Sequence, residues 1–239
     1  MPNVAIIFAG GTGKRMNTKS KPKQFLELHG KPILVYTLEE FNNHPEIDGI
    51  ILVILESWIE YCEELIEKFH LNKVNAVVAG GESALQSQRN GLQKAKELFG
   101  DTSIVLIHDG VRPLVDEETI SKNIACVKEH GAAITVTPAI ETITVKTDTG
   151  EVGQIIERAR VEMARAPQSF WLNEILEAHR QAETEGKDFI DSASMMQYYG
   201  HPLYTVEGSP ENIKITTPND FYTFRALVDA RENSQIFGI

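Results

Sequence analysis

The chain has 239 residues, 42% of them hydrophobic and 24% charged, with a formal net charge of −11. That is the make-up of a globular protein long enough to bury its own core, and its acidic balance argues against nucleic acid or an anionic membrane surface as a partner. Two cysteines, Cys62 and Cys126, make neither a disulfide framework nor a zinc spacing, and no apolar run nears the ~18 residues of a bilayer span.

The first residues lead straight into an apolar segment with no basic-then-apolar leader, so a cytoplasmic protein with reduced thiols is expected. Residues 4–9 are uniformly apolar and read as a buried strand, after which Gly10, Gly11 and Gly13 turn the chain sharply. Between Lys14 and Lys23 stand five basic residues and no acidic one. A glycine loop lets backbone N–H groups approach phosphate oxygens, and the cations beyond it could neutralise a polyphosphate. Two familiar glycine patterns fail here. A Walker A loop would need glycine at Phe8 and Ser or Thr at Arg15, and a dinucleotide fingerprint begun at Gly11 and Gly13 meets Met16. A plain strand-to-helix turn with a solvated basic loop is the competing reading.

Helical and strand patterns then alternate: helix 34–41, strand 49–54, helix 56–69, strand 74–78, helix 83–99, strand 103–107 and helix 116–129. Trp58, Tyr61, Leu65 and Phe69 recur at helical spacing in the second helix. Such alternation predicts βαβ units in an α/β, Rossmann-like fold, a mostly parallel sheet flanked by helices. Ligands of such sheets bind outside the carboxyl ends of the strands, and Gly11 and Asp109 lie just past two of them. The pattern breaks near residue 139. Alternation over 141–146 and 151–156 around a turn at 148–150 predicts a β-hairpin in an inserted arm, residues 139–165. Such a hairpin is either a pair of edge strands or an arm that swaps between subunits. Helices at 172–185, 192–199 and 218–232 and a strand at 203–206 follow. With no linker in sight, one domain over 1–239 is expected.

Several short segments carry possible chemistry. Asp109 in His-Asp-Gly-Val-Arg-Pro (108–113) could hold a divalent metal and Arg112 a phosphate. Taken alone, a turn-capping Asp109 paired with Arg112 is favoured, with His108 structural. Gly80-Gly81-Glu82-Ser83, with Ser87 four residues on, places a helix start after a third strand. It could read a base edge or hold a phosphate, or be a plain capped helix. Lys214 sits in an alternating segment before a Thr-Pro helix start.

Taken in order, these segments resemble a family. They are Ala-Gly-Gly-Thr-Gly-Lys-Arg-Met (9–16), Pro-Lys-Gln-Phe-Leu-Glu-Leu (22–28), the Gly80-Gly81 helix start, His-Asp-Gly-Val-Arg-Pro, Ala-Pro-Gln-Ser-Phe (166–170) and Asn-Ile-Lys-Ile-Thr (212–216). The family is the cytidylyltransferases of phosphorylated polyols, which make CDP-ribitol from ribitol 5-phosphate or the cytidyl derivative of 2-C-methyl-D-erythritol 4-phosphate. The resemblance spans roughly residues 4 to 230. It implies that Ala9, Gly10, Gly11, Thr12, Gly13 and Lys14 wrap the phosphates of CTP, while Gly81, Glu82 and Ser87 hold its cytosine. Arg15 and Lys23 would contact the α-phosphate and its neighbours, and Lys214 would bridge CTP and the second substrate. Asp109 and Arg112 would meet the polyol, with Asp109 also at Mg²⁺. Thr142 and Arg158, on the arm, would reach the partner subunit's polyol phosphate in a homodimer.

The match has gaps. Ala166 stands where many members have Thr, Ile190 where Thr precedes Asp, and Ala84 where an Arg is usual. All three fall on the side expected to face the polyol. The Ala-Gly-Gly opening and Phe-Leu-Glu-Leu lean towards the ribitol branch. The alternatives are a nucleotidyltransferase for another sugar phosphate or nucleotide, and a CTP-binding protein with degenerate chemistry.

Overall fold

Asn-Val-Ala-Ile-Ile-Phe at 3–8 is apolar on both alternating faces, and β1 (Asn3–Phe8) accordingly lies inside a seven-stranded sheet. In the computed structural model, which describes residues 1–11 and 21–237, β1 is flanked by β4 (Gly49–Ile54) and β6 (Ile104–Asp109), both parallel to it. Beyond β4 lies β5 (Val74–Ala79), also parallel. On the other side come β10 (Glu162–Trp171), antiparallel to its neighbours, then β7 (Ala132–Pro138) and β11 (Thr205–Glu207). The order is β11-β7-β10-β6-β1-β4-β5.

Both faces of this sheet are covered. Ala5 and Ile7 of β1 pack with α1 (Ile33–Asn43), α2 (Ile59–Lys68) and α4 (Glu117–His130). Val4 and Ile6, pointing the other way, pack with α3 (Ala84–Phe99) and α5 (Leu172–Glu185). Gly91 lets α3 come close: a Cβ there would lie 2.7 Å from Val53 Cγ2 and 2.8 Å from Ile6 Cγ2. The short α6 (Ser192–Tyr198) and the closing α7 (Pro218–Phe237) complete the helices. Among the described residues, no helix is long and apolar enough to cross a membrane. Cys62 and Cys126 are unpaired, and burial pushes the Cys62 thiol up to about 12.

β7 and β10 depart from the sequence expectation. β7 follows α4 across a single left-handed residue, Gly131 at φ 92°, so no loop announces it. In β10, Pro167 argues against a sheet-interior strand because it has no N–H to donate. The structure accommodates it by a register shift between Ala164 and Gln168, where the ladder with β7 is interrupted. β10 begins at Glu162, within the segment read as the arm. The hairpin itself is β8 (Ile143–Lys146) paired with β9 (Val152–Ile156), a two-stranded sheet of its own. β2 (Glu27–Leu28) and β3 (Lys31–Pro32) form a small ribbon before α1. The segment around Lys214 is not a strand. It is an extended strap, and Ile215 N–H donates to the Val111 carbonyl at 2.9 Å.

Candidate active site

Strand register levels the carboxyl ends. Phe8 pairs with both Val53 and Asp109, and Ile54 pairs with Ala79. The residues that follow β1, β6 and β5 therefore open on one edge. From β1 the chain moves outward to β4 and β5, then returns to β6 on the opposite flank. That reversal makes the β1/β6 boundary a topological switch point. Gly110 lets the two ends meet: its N–H donates to the Phe8 carbonyl at 2.7 Å, and a Cβ would lie 3.0 Å from Ala9 Cβ.

Ala9 is buried, while Gly10 and Gly11 are exposed at the sheet edge. Thr12, Gly13, Lys14 and Arg15 lie outside the described residues. Three neighbours just before β2 are fixed for different reasons. Phe25 is buried against Trp58 and Tyr61, with ring centroids 4.8 and 5.0 Å away. Gln24, also buried, donates to the Ala9 carbonyl. Lys23 Nζ then donates to the Ile215 carbonyl at 2.8 Å. Gln24 and Lys23 thus tie the segment before α1 to β1 and to the Lys214 strap.

On the strap, Lys214 Nζ lies 2.7 Å from Asp109 Oδ1, and Arg112 Nε lies 2.8 Å from Asp109 Oδ2. Burial pushes the Asp109 carboxyl up, but the charges and hydrogen bonds of Lys214 and Arg112 outweigh it and hold it at about 2. Asp109 is therefore an anion at any working pH. Arg112 Nη1 also donates to the Asn212 carbonyl at 2.9 Å, and buried Asn212 donates to the Ala166 carbonyl. His108 is buried beneath this pair. Its Nε2 lies 3.1 Å from the Arg112 carbonyl, and burial pushes the imidazole down to about 4.

The Gly80-Gly81 start of α3 is folded on itself. Ser83 caps the helix by accepting from Gln86 N–H, Ser87 Oγ accepts from Gly81 N–H at 3.0 Å, and Gln86 Oε1 accepts from Glu82 N–H at 2.8 Å. Ser87 thereby sets the shape of the loop, and the Glu82 side chain is exposed. On the arm, Arg158 donates to the Ile140 carbonyl at 3.1 Å, and Thr142 is exposed. The structure thus joins Lys23, Lys214, Asp109 and Arg112, and leaves Thr142 and Arg158 on the arm, just outside the β8–β9 ribbon. Among the described residues, the one group of ligating side chains close enough for a metal is His29, Asp229 and Glu232, none of them part of this site.

The family model described as IspD, 2-C-methyl-D-erythritol 4-phosphate cytidylyltransferase, matches residues 3–230. The chain belongs to this family. It is 52% identical over 240 residues to a ribitol-5-phosphate cytidylyltransferase of Streptococcus agalactiae serotype V, covering 100% of both chains. A protein of that name from Vibrio parahaemolyticus is 49% identical, over 99% of this chain and 100% of the relative. A 2-C-methyl-D-erythritol 4-phosphate cytidylyltransferase of Clostridium acetobutylicum is 40% identical, over 95% and 97%. The solved 4-diphosphocytidyl-2C-methyl-D-erythritol synthase of Anaerococcus prevotii has a TM-score of 0.83 at 29% identity, over 95% of this chain and 96% of that one.

As a member of the IspD family, the protein is a cytidylyltransferase. Gly110, Asn212 and Arg165, whose Nη1 donates to the Asn212 carbonyl at 2.9 Å, were not singled out from the sequence. Gly110 and Asn212 lie inside motifs already noted, where only the charged neighbours drew notice. Arg165 had no signal, since a lone arginine in a strand usually faces solvent. Of the departures, Ala166 is buried with its carbonyl bonded to Asn212, Ile190 is 96% exposed, and Ala84 is exposed at the start of α3.

Proposed function

We propose that this cytidylyltransferase transfers CMP from CTP to ribitol 5-phosphate with release of pyrophosphate. The observation that carries the reading is the cation cluster at the switch point: Lys214 and Arg112 paired with one carboxylate, Asp109, and Lys23 bonded to the Ile215 carbonyl beside Lys214. Two polyanions must meet there, so the main obstacle is their mutual repulsion. An oxygen of the acceptor phosphate attacks the α-phosphorus of CTP in line; that P–O bond forms as the α–β bond breaks, and pyrophosphate leaves. The nucleophile is already an anion, so no general base is needed. This agrees with a neutral, structural His108. Lys23 and Lys214 would hold the α-phosphate and the incoming oxygen as charge builds there.

Among the described residues, the ionised Asp109 is the carboxylate of this site that would hold Mg²⁺. One or two carboxylates plus substrate phosphates is a usual donor set for this ion, so the residues fit. When bound, the ion neutralises phosphate charge. Ribitol 5-phosphate is preferred to 2-C-methyl-D-erythritol 4-phosphate because relatives bearing the ribitol name match at 52% and 49%, against 40% to 42% for relatives bearing the other name.

The arm supports a homodimer with sites completed in trans. Ile140, Val152 and Ile155 are each about two-thirds exposed or more, an unusual concentration of apolar surface on one hairpin. Arg158, charged and on the same arm, would supply the partner's acceptor phosphate with a further cation. The testing experiment is pyrophosphate release from CTP and Mg²⁺ with each acceptor in parallel. Preference for ribitol 5-phosphate is expected; preference for methylerythritol phosphate, or silence with both, would overturn the assignment.

A further inference from the structure

Arg165 lies where β10 leaves its ladder with β7, between Ala164 and Gln168. Its Nε donates to Thr137 Oγ1 at 2.9 Å and its Nη1 to the Asn212 carbonyl at 2.9 Å. That carbonyl is the oxygen that also accepts from Arg112 at 2.9 Å, so two guanidinium groups converge on it. Arg112 is compensated by Asp109, but among the described residues no carboxylate pairs with Arg165. Burial and the neighbouring Arg112 charge both lower its pKa, yet a guanidinium stays charged. A half-buried cation beside another cation is costly to leave without a partner. Of the five donors on the fork, two meet partners among the described residues.

The contacts also have a direction. Lys23 meets the carbonyl of Ile215, Lys214 meets Asp109, Asp109 meets Arg112, and Arg112 shares the Asn212 oxygen with Arg165. The reacting phosphate belongs at the lysine end, so the remainder of the acceptor extends towards Arg165. We propose that Arg165 is a specificity-determining residue that donates to a hydroxyl of the acceptor's carbon chain, at the end away from its phosphate. This rests on the polyol-phosphate reading above. Ribitol 5-phosphate has a longer chain and one more free hydroxyl than the methyl-branched acceptor. A site built to hydrogen-bond a hydroxyl discriminates strongly against a substrate lacking it.

The test is steady-state pyrophosphate release by the wild type, Arg165→Met, Arg165→Lys and Thr137→Val, with both acceptors and with CTP varied separately. Arg165→Met should lower kcat/KM for ribitol 5-phosphate by about 10- to 100-fold, the scale of one hydrogen bond to a charged group. The KM for CTP should stay unchanged, and any preference over methylerythritol phosphate should narrow. Arg165→Lys should recover part of the loss. Thr137→Val, which removes only the oxygen that orients Nε, should shift preference the same way by less and remain informative if Arg165→Met melts early. An unchanged acceptor preference, or a loss shared equally by both acceptors with a raised KM for CTP, would overturn the proposal. A wild type inactive with ribitol 5-phosphate would instead defeat the functional reading, and this inference with it.

Discussion

Lys214 Nζ and Asp109 Oδ1 stand 2.7 Å apart although 105 residues separate them in sequence. The pair is set by backbone and core on either side. Val111 and Ile215, next to the charged residues, are both buried in a cluster with Leu28, Ile33 and Phe224. Apolar neighbours therefore fix the strap, and the charges are placed as a consequence. Lys214 is 43% exposed, so the ion pair contributes at most about 1 kcal/mol to stability. Its worth lies in where it leaves an ammonium and an ionised carboxylate.

Replacing Lys214 by Ala should consequently separate activity from stability. Loss of one preorganised donor at the reacting phosphate costs about 10²–10³-fold in kcat, while the melting temperature should hardly move. Pyrophosphate release and a thermal melt of the same preparation check both halves. A variant with near-normal turnover would remove Lys214 from the mechanism.

Gly91 tests how α3 is seated. Alanine there gains about 1 kcal/mol of helix propensity, but its Cβ would fall 2.7 Å from Val53 Cγ2 and 2.8 Å from Ile6 Cγ2. Both neighbours are β-branched and stiff, and overpacking a core costs typically 1–3 kcal/mol. Gly91→Ala should therefore be destabilised by about 1 kcal/mol net, seen as a lower urea midpoint at unchanged slope. An equal or higher midpoint would mean that α3 rides farther from β1 and β4 than described.

The βα alternation was legible because strands covered on both faces read as unbroken apolar runs, as in β1 and β4. β10 was not, because its interrupted ladder and Pro167 hide its period. Asp109, Arg112 and Lys214 stood out as charges in short motifs. Their meeting depends on the strap docking at Val111, a long-range contact that no local pattern encodes. Arg165 was illegible for the same reason, since its partners Thr137 and Asn212 lie 28 and 47 residues away.

Glu40 offers a pH test away from the site. Burial raises its carboxyl to about 7, with Glu39 and Asp116 adding to the rise and Arg231 opposing it. A carboxyl whose folded pKa lies above its ordinary value of 4.5 contributes stability that is full below that value and is lost as pH rises through about 7. Glu40→Gln has no such charge to bury. Melting temperatures should therefore shift in the variant's favour as pH rises from 5 to about 7, and the difference should level off by pH 8. A difference that stays constant across the range would show that Glu40 titrates normally.

The arm supplies the last test. Arg158 bonds to Ile140 on the arm, whereas Lys214 bonds to Asp109 at the sheet edge. If each site draws Arg158 from the partner subunit, Arg158→Ala and Lys214→Ala homodimers each lack one cation in both sites. A mixed dimer places both defects in one site and leaves the other intact. Activity in mixtures should then recover towards a quarter of the wild-type value, since random exchange makes half the dimers mixed and each has one good site (a statistical expectation of about 25%). Subunit exchange must be shown in parallel, by native mass spectrometry of a tagged and an untagged variant. Exchange without recovery would mean that Arg158 serves its own subunit or no site at all. Monomers in solution would remove the arm's proposed role altogether.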